Sequence, residues 1–385
     1  MKQTAKIIST YTADVSGVCS ALFELGGMVV MHDASGCNST YNTHDEPRWY
    51  DMDSLVFISA LSEIEAIMGD DEKLINDIVE AAKDLQPNFI AVAGTPIPMM
   101  IGTDFSAVAK VIEERTGIPA FGISTNGMHS YISGAGMAFE ILAERMVEEP
   151  NGKVGSDQIG VNIIGATPLD FSVNGSVDSV KELLSTNGFE VISTWAMGDD
   201  LSAVKRAGSA DVNLVISACG LPAAEVLRKR FGISYVVGLP VGSALSRKIC
   251  ADLGTAVRDK VNIISYSLQT AADRYDYTFI GEGVYGKSLA FALQAEYNKT
   301  CRVICPVDCP AELLGVSDLK ATDEEEIAPY FSETEAVVAD PLYRPICPDG
   351  VRFAELPHEG FSGRIFRDDI PDLIGDRFEN WQEIK

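Results

Sequence analysis

Cationic side chains are scarce in this 385-residue sequence: 30 Lys and Arg stand against 56 Asp and Glu, a formal net charge of −26. A phosphate backbone needs a basic face to displace its counterions, so nucleic acid is excluded as a partner class. Histidine is rarer still, with four residues, too few for a His-rich zinc site. No run of about 18 apolar residues occurs, so no membrane-spanning helix is expected. Met1–Thr4 lead straight into Ile7 and Ile8 with no secretory signal pattern, which points to the cytoplasm. Eight cysteines in so long a chain are too sparse for a disulfide scaffold and read as thiols or ligands. A 46% apolar content places the chain among globular proteins with room for two or three domains, at roughly 150 residues each.

Short apolar runs bounded by Gly, Pro, Ser or Asn alternate with stretches of helical period, the signature of parallel α/β structure. The alternation occurs three times and predicts three Rossmann-like α/β domains over 1–150, 151–273 and 274–385. Strands are expected at 5–9, 28–31, 55–59, 88–93 and 120–124, then at 158–164, 189–194, 212–217 and 234–237, and finally at 277–280, 301–305, 336–339 and 351–354. The expected helices include 134–148, 243–272 and 368–382, with short ones at 310–315 and 323–331.

Ligands in such sheets sit beyond the carboxyl ends of the strands. There the sequence places His32, Asp33, Gly36 and Cys37 after the second strand, and Gly94 and Thr95 after the fourth. Cys219, Cys305 and Cys309 follow or end later strands. Cys37 sits in a Gly-rich loop where a thiolate is free to ligate iron, and Cys19 lies upstream on a helical pattern. Cys301 and Cys305 share a strand face but would stand about 13 Å apart, too far to grip one metal. The segment from Gly281 to Ser288 satisfies both the GxGxxG and the GxxxxGK[ST] patterns, making Gly281, Gly283 and Lys287 candidates for a nucleotide or another anion. The competing reading is a Gly-rich strand-to-helix turn.

The segment Ser35, Gly36, Cys37, Asn38, Ser39, Thr40, Tyr41 resembles the nitrogenase component 1 superfamily. The likeness continues in order through Ser62–Glu63, Met68–Leu74, Gln86–Val92, Ile101–Asp104, Gly238–Gly242 and Gly360–Gly363. It implies a subunit that pairs with itself or a paralogue, holds an iron–sulfur cluster at the interface and takes electrons from a separate ATP-hydrolysing iron protein. By this resemblance Cys37 is a cluster ligand. With Cys19, two subunits would supply the four thiolates of one [4Fe–4S] cluster. His32, Asp33 and His358 become the proton-donor candidates, and the substrate an unsaturated small molecule, a tetrapyrrole being one option. The sequence departs from nitrogenase where Gly94, Thr95 and Pro96 replace an interface cysteine, and no cysteine opens the second domain around Thr167–Asn174. Dinitrogen reduction is therefore not expected. The alternatives are a metallocluster-assembly scaffold without turnover and a nucleotide-binding enzyme built on the Gly281 loop.

Overall fold

Three parallel sheets follow one another along the chain; the first two share one winding, and the third places two strands on one side before crossing to the other. The computed structural model describes residues 5–34, 36, 46–150, 158–266 and 272–384. The first unit runs α1 (Asp14–Leu22), β1 (Met28–Met31), β2 (Leu55–Ile58), α2 (Glu63–Met68), α3 (Glu72–Leu85), β3 (Ile90–Ala93), α4 (Pro96–Ile101), α5 (Phe105–Thr116), β4 (Ala120–Ile123) and α6 (Tyr131–Arg145). The second comprises β5 (Ile159–Ile164), α7 (Pro168–Phe171), α8 (Ser176–Thr186), β6 (Phe189–Thr194), α9 (Leu201–Arg206), β7 (Val212–Val215), α10 (Leu221–Phe231), β8 (Ser234–Val237), α11 (Gly242–Asp259) and β9 (Ile263–Ile264). The third comprises β10 (Tyr275–Ile280), α12 (Gly283–Tyr297), β11 (Cys301–Cys305), β12 (Leu319–Lys320), α13 (Glu324–Ile327), β13 (Thr334–Ala339), β14 (Arg352–Glu355) and α14 (Glu359–Ser362).

The strand orders are β2-β1-β3-β4, β6-β5-β7-β8-β9 and β12-β11-β10-β13-β14. Each sheet starts at an inner strand, steps to one side, then returns to the other. A switch point therefore lies between β1 and β3, between β5 and β7, and between β10 and β13. The central strands β1, β3, β7 and β11 are buried along their full length, because helices cover both faces of a parallel sheet. On one face of the first sheet, Leu74, Ile75 and Ile78 of α3 and Phe105, Val108 and Ile112 of α5 form a separate small core. On the other face, α1 and α6 join the core that runs through all three units. Glycine makes that contact close: a Cβ on Gly17 would stand 2.0 Å from the Tyr131 carbonyl, and one on Gly134 would stand 1.7 Å from that of Asp14.

Several expected elements differ. Residues 5–9 form no strand; the Lys6 and Ile7 amides donate to the Glu324 carboxylate and Ser9 Oγ to the Thr322 carbonyl, so the segment lies across the third unit. The helix expected to reach 272 ends at Asp259, where Lys260 adopts a left-handed conformation (φ 57°), and β9 follows. Instead of a helix at 368–382 there are 3₁₀ turns, since Pro371 and Gly375 break any longer run. These turns lie along the second unit, where Gly375 N donates to the Pro240 carbonyl and Ser179 Oγ to Asp372. Residues 310–315 hold one 3₁₀ turn, and the 323–331 helix is a single α turn continued as 3₁₀ around Pro329. Among the described residues, no helix is long and apolar enough to cross a membrane.

Candidate functional site

The three switch points give two sites. At the first, the chain leaves β1 through His32 and Asp33. His32 Nδ1 lies 2.8 Å from Ser59 Oγ, and its ring stands edge-on to Phe105. Thr95 Oγ1 donates to the His32 carbonyl at 3.0 Å, tying the ends of β1 and β3 together. Burial lowers the His32 pKa to about 4, outweighing the nearby Glu65, so the imidazole is neutral at physiological pH. Asp33 is buried and accepts from the Ala34 amide. Gly36 adopts φ +127°, a left-handed conformation that favours glycine. At Gly94 a Cβ would meet the Thr125 carbonyl at 2.3 Å.

Cys37, with Ser35 and residues 38–45, lies outside the described residues. Immediately after them, Glu46 and Arg48 anchor the chain in the interior. Arg48 pairs with Glu46 (2.7 Å) and Glu24 (2.8 Å) and donates to the Ala196 carbonyl of the second unit. Cys19 is fully buried in α1, and burial, with Glu46 beside it, pushes its thiol well above the ordinary range. It faces packed core, which does not bring it to a surface that a second subunit could share. Around this first site the surface is apolar. No residue of α2 is buried, Ile67 and Met68 are about three-quarters exposed, and Met100 of the adjacent α4 is 80% exposed. Glu63 opens α2, Asp70 follows it and Asp104 follows α4, all three exposed.

The other two switch points face each other and close on one another. Glu282, which follows β10, accepts from the Ala218 amide beyond β7 (3.0 Å) and from Tyr285 N (2.7 Å). Burial, reinforced by the charge of Asp170, raises its pKa from 4.5 to about 8. Beyond β5, Asp170 Oδ1 accepts from Tyr131 Oη at 2.6 Å and lies 3.4 Å from His358 Nε2. A residue from each unit thus meets at one carboxylate. Asp170 Oδ2, His358 Nε2 and Thr167 Oγ1 are buried with no hydrogen-bond partner. Asp340, after β13, accepts from His358 N and Ser362 Oγ. The arrangement can hold and pass a proton within a buried crevice.

The Gly281 loop is not an open phosphate cradle. The Lys287 ammonium is buried and paired with Asp318, Glu282 caps α12 with its own carboxylate, and a Cβ on Gly283 would meet Cys309 Sγ at 2.4 Å. Cys219 is buried beside this junction, its thiol raised by burial and by Asp170. Among the described residues, no three His, Cys, Asp or Glu side chains are grouped to hold a metal ion. The structure thus gathers His32, Asp33, Thr95 and Gly36 at one place and His358 at another. Tyr131, Asp170 and Glu282 were not singled out from sequence; Asp170 and Glu282 follow strands, so the strand-end rule applied to 158–164 and 277–280 would have reached them.

Comparison with known proteins places this geometry. Residues 15–338 match the nitrogenase component 1 type oxidoreductase family. The chain is 26% identical over 182 residues to the nitrogenase iron-molybdenum cofactor biosynthesis protein NifE of Clostridium pasteurianum, covering 47% of this chain and 38% of that one. It is 25% identical over 317 residues to NifE of Rippkaea orientalis, covering 77% and 64%. The chain therefore spans less than two thirds of the length of these curated relatives. Similarity also extends to the nitrogenase molybdenum-iron protein alpha chain of Clostridium pasteurianum, 26% identical over 47% of this chain and 33% of that one. The solved structure of nitrogenase Cp1 at pH 5 superposes with a TM-score of 0.67 at 16% identity, over 100% of this chain and 90% of the other.

Proposed function

The chain belongs to the nitrogenase component 1 type oxidoreductase family, and from that premise we propose that it is the electron-accepting component of a two-component reductase. In this reading an iron–sulfur cluster, a [4Fe–4S] cube, is held by Cys37 at an interface with a second copy or a paralogue, and reduces an unsaturated organic molecule such as a tetrapyrrole. The observation that carries it is the apolar face at the first switch point: Ile67 and Met68 of α2 and Met100 of α4 stand bare on a surface that no part of the described chain covers.

The fit to a cluster is partial. Iron–sulfur clusters call for thiolates, Cys37 is on the loop where one is required, and Cys19 is sealed in α1. The remaining ligands belong to the partner or to Cys37 of a second copy. Bound there, the group would supply single low-potential electrons. The chain's own residues do the rest. Neutral His32 and Thr95 fix the base of the loop. Glu282, protonated at neutral pH, and the Asp170–His358 pair hold protons away from bulk water. The Ile67, Met68 and Met100 face, with exposed Glu63, Asp70 and Asp104 on the same segments, suits an ATP-dependent iron protein with a basic rim around an apolar centre.

A second reading, an assembly scaffold that binds and hands on a cluster, is favoured by the NifE relatives. Anaerobic purification with iron and sulfide counts and EPR of the reduced protein tests both. Wild type is expected to carry iron and Cys37→Ala to lose it; iron-free wild type after reconstitution would sink both readings. Reduction that depends on the iron protein and ATP separates the reductase from the scaffold.

A further inference from the structure

The Gly281 motif, which cradles no phosphate, makes room for sulfur. Gly283 opens α12 without a side chain, and Cys309 Sγ fills the space: a Cβ on Gly283 would stand 2.4 Å from it. Cys305, the last residue of β11, turns its Sγ into the loop that follows, 3.5 Å from the Val307 carbonyl. The two thiols, both free, are in hydrogen-bond contact with each other. Cys305 is fully buried, whereas Cys309 is partly exposed. One sulfur that solvent reaches, backed by one that it does not, suits a dithiol that reacts at its outer member and closes onto its inner one.

The loop these cysteines bracket joins the third unit to the first. Within it the Asp308 carboxylate accepts from Ser130 N (2.8 Å) and Ser130 Oγ (2.9 Å), and the Asp308 amide donates back to Ser130 Oγ at 2.9 Å. Pro306, Val307 and Asp308 also wall a cavity of about 370 Å³ whose other side includes Thr12, Met128 and His129 of the first unit. A covalent change across 305–309 therefore acts on this joint. We propose that Cys305 and Cys309 form a reversible dithiol–disulfide pair whose oxidation resets the joint between the first and third units. The oxidant is a small-molecule disulfide. Cys309 attacks it, forming a mixed disulfide and releasing one thiol, which carries away the Cys309 proton. Cys305 then attacks Cys309 Sγ, the Cys305–Cys309 bond forms, and the second thiol leaves with the Cys305 proton. The chain loses two electrons and the small disulfide gains them. The contact with Cys305 and burial hold the Cys309 thiol protonated, which slows the first attack and also denies the open dithiol the stabilisation of a thiolate. The exchange asks nothing of the first switch point, so it stands apart from the reductase reading.

The test uses the full chain, purified anaerobically, with glutathione disulfide as the oxidant and peptide mapping by mass spectrometry as the readout. In native wild type the tryptic peptide 303–320, which holds both cysteines, should become lighter by two hydrogens and carry no glutathione. Cys305→Ser should instead keep glutathione on Cys309, and Cys309→Ser should leave Cys305 reduced. In oxidised wild type the Ser130 amide should exchange hydrogen about tenfold faster than in the reduced protein, the loss of one hydrogen bond to a carboxylate. A 303–320 peptide that stays reduced, or that links only in urea, would overturn the proposal. So would glutathione on Cys305 in Cys309→Ser, or Ser130 exchange that is the same in both redox states.

Discussion

The switch point of the first sheet and those of the second and third have opposite fates. Beside the crevice between β1 and β3 the surface is bare isoleucine and methionine. Between the second and third sheets the crevice is shut: Glu282 reaches across to the Ala218 amide, and Tyr131, Asp170 and His358 meet with their side chains out of water. Topology chooses where a site can be; the side chains at the strand ends choose whether it faces a partner or the interior. The bare surface suits traffic with another protein, and the closed crevice suits chemistry that must exclude water.

Three variants would sharpen or break that contrast. Asp170→Ala, in the closed junction, strips the Tyr131 hydroxyl and His358 of their shared partner and should cost about 3 kcal/mol, read by denaturant unfolding. A cost near zero would mean the junction is wet. Next comes Glu282→Gln. As pH rises from 4.5 towards 8 the unfolded carboxyl releases its proton while the folded one, held at about 8, keeps it. The unfolded state then binds fewer protons, so stability falls with rising pH. Wild type should lose more than ~1 kcal/mol relative to Glu282→Gln between pH 5 and 8, measured as melting temperature against pH. An identical slope in the two proteins would remove the buried acid from the account. The smallest effect on stability is expected on the bare surface: the Ile67→Ser, Met100→Ser double variant should unfold within about 0.5 kcal/mol of wild type. It should nonetheless bind the proposed iron-protein partner more weakly in sedimentation. A large stability loss would show that the face is covered within the chain itself.

Most of the fold was legible because both faces of a parallel sheet are buried, so strands such as 28–31, 90–93 and 212–215 stand out as apolar runs. The failures have local causes. Residues 5–9 are apolar enough for a strand, but their amides find Glu324 instead of a sheet edge. Residues 368–382 have helical composition interrupted by Pro371 and Gly375. For the sites, the strand-end rule found His32, Asp33, Thr95 and Cys219, since strand and end are adjacent in sequence. Tyr131 begins a helix in one unit and meets Asp170 in the next and His358 in the third, a convergence that only the packing of three sheets creates. The phosphate-loop pattern at Gly281 misled for a related reason: Lys287 finds Asp318, 31 positions away, and the motif alone does not show that the amine is committed.

Residues 6–12 have one more consequence, which concerns the order of synthesis. Lys6 N bonds to Glu324, Ser9 to Thr322 and to Tyr343 Oη, and Thr12 to Gly360, separations of 313 to 348 positions. These residues are made more than 300 positions ahead of the partners they bind and have no place to rest until those follow. The first unit must wait with that flank uncovered, and its fastening comes only once the third unit has been made.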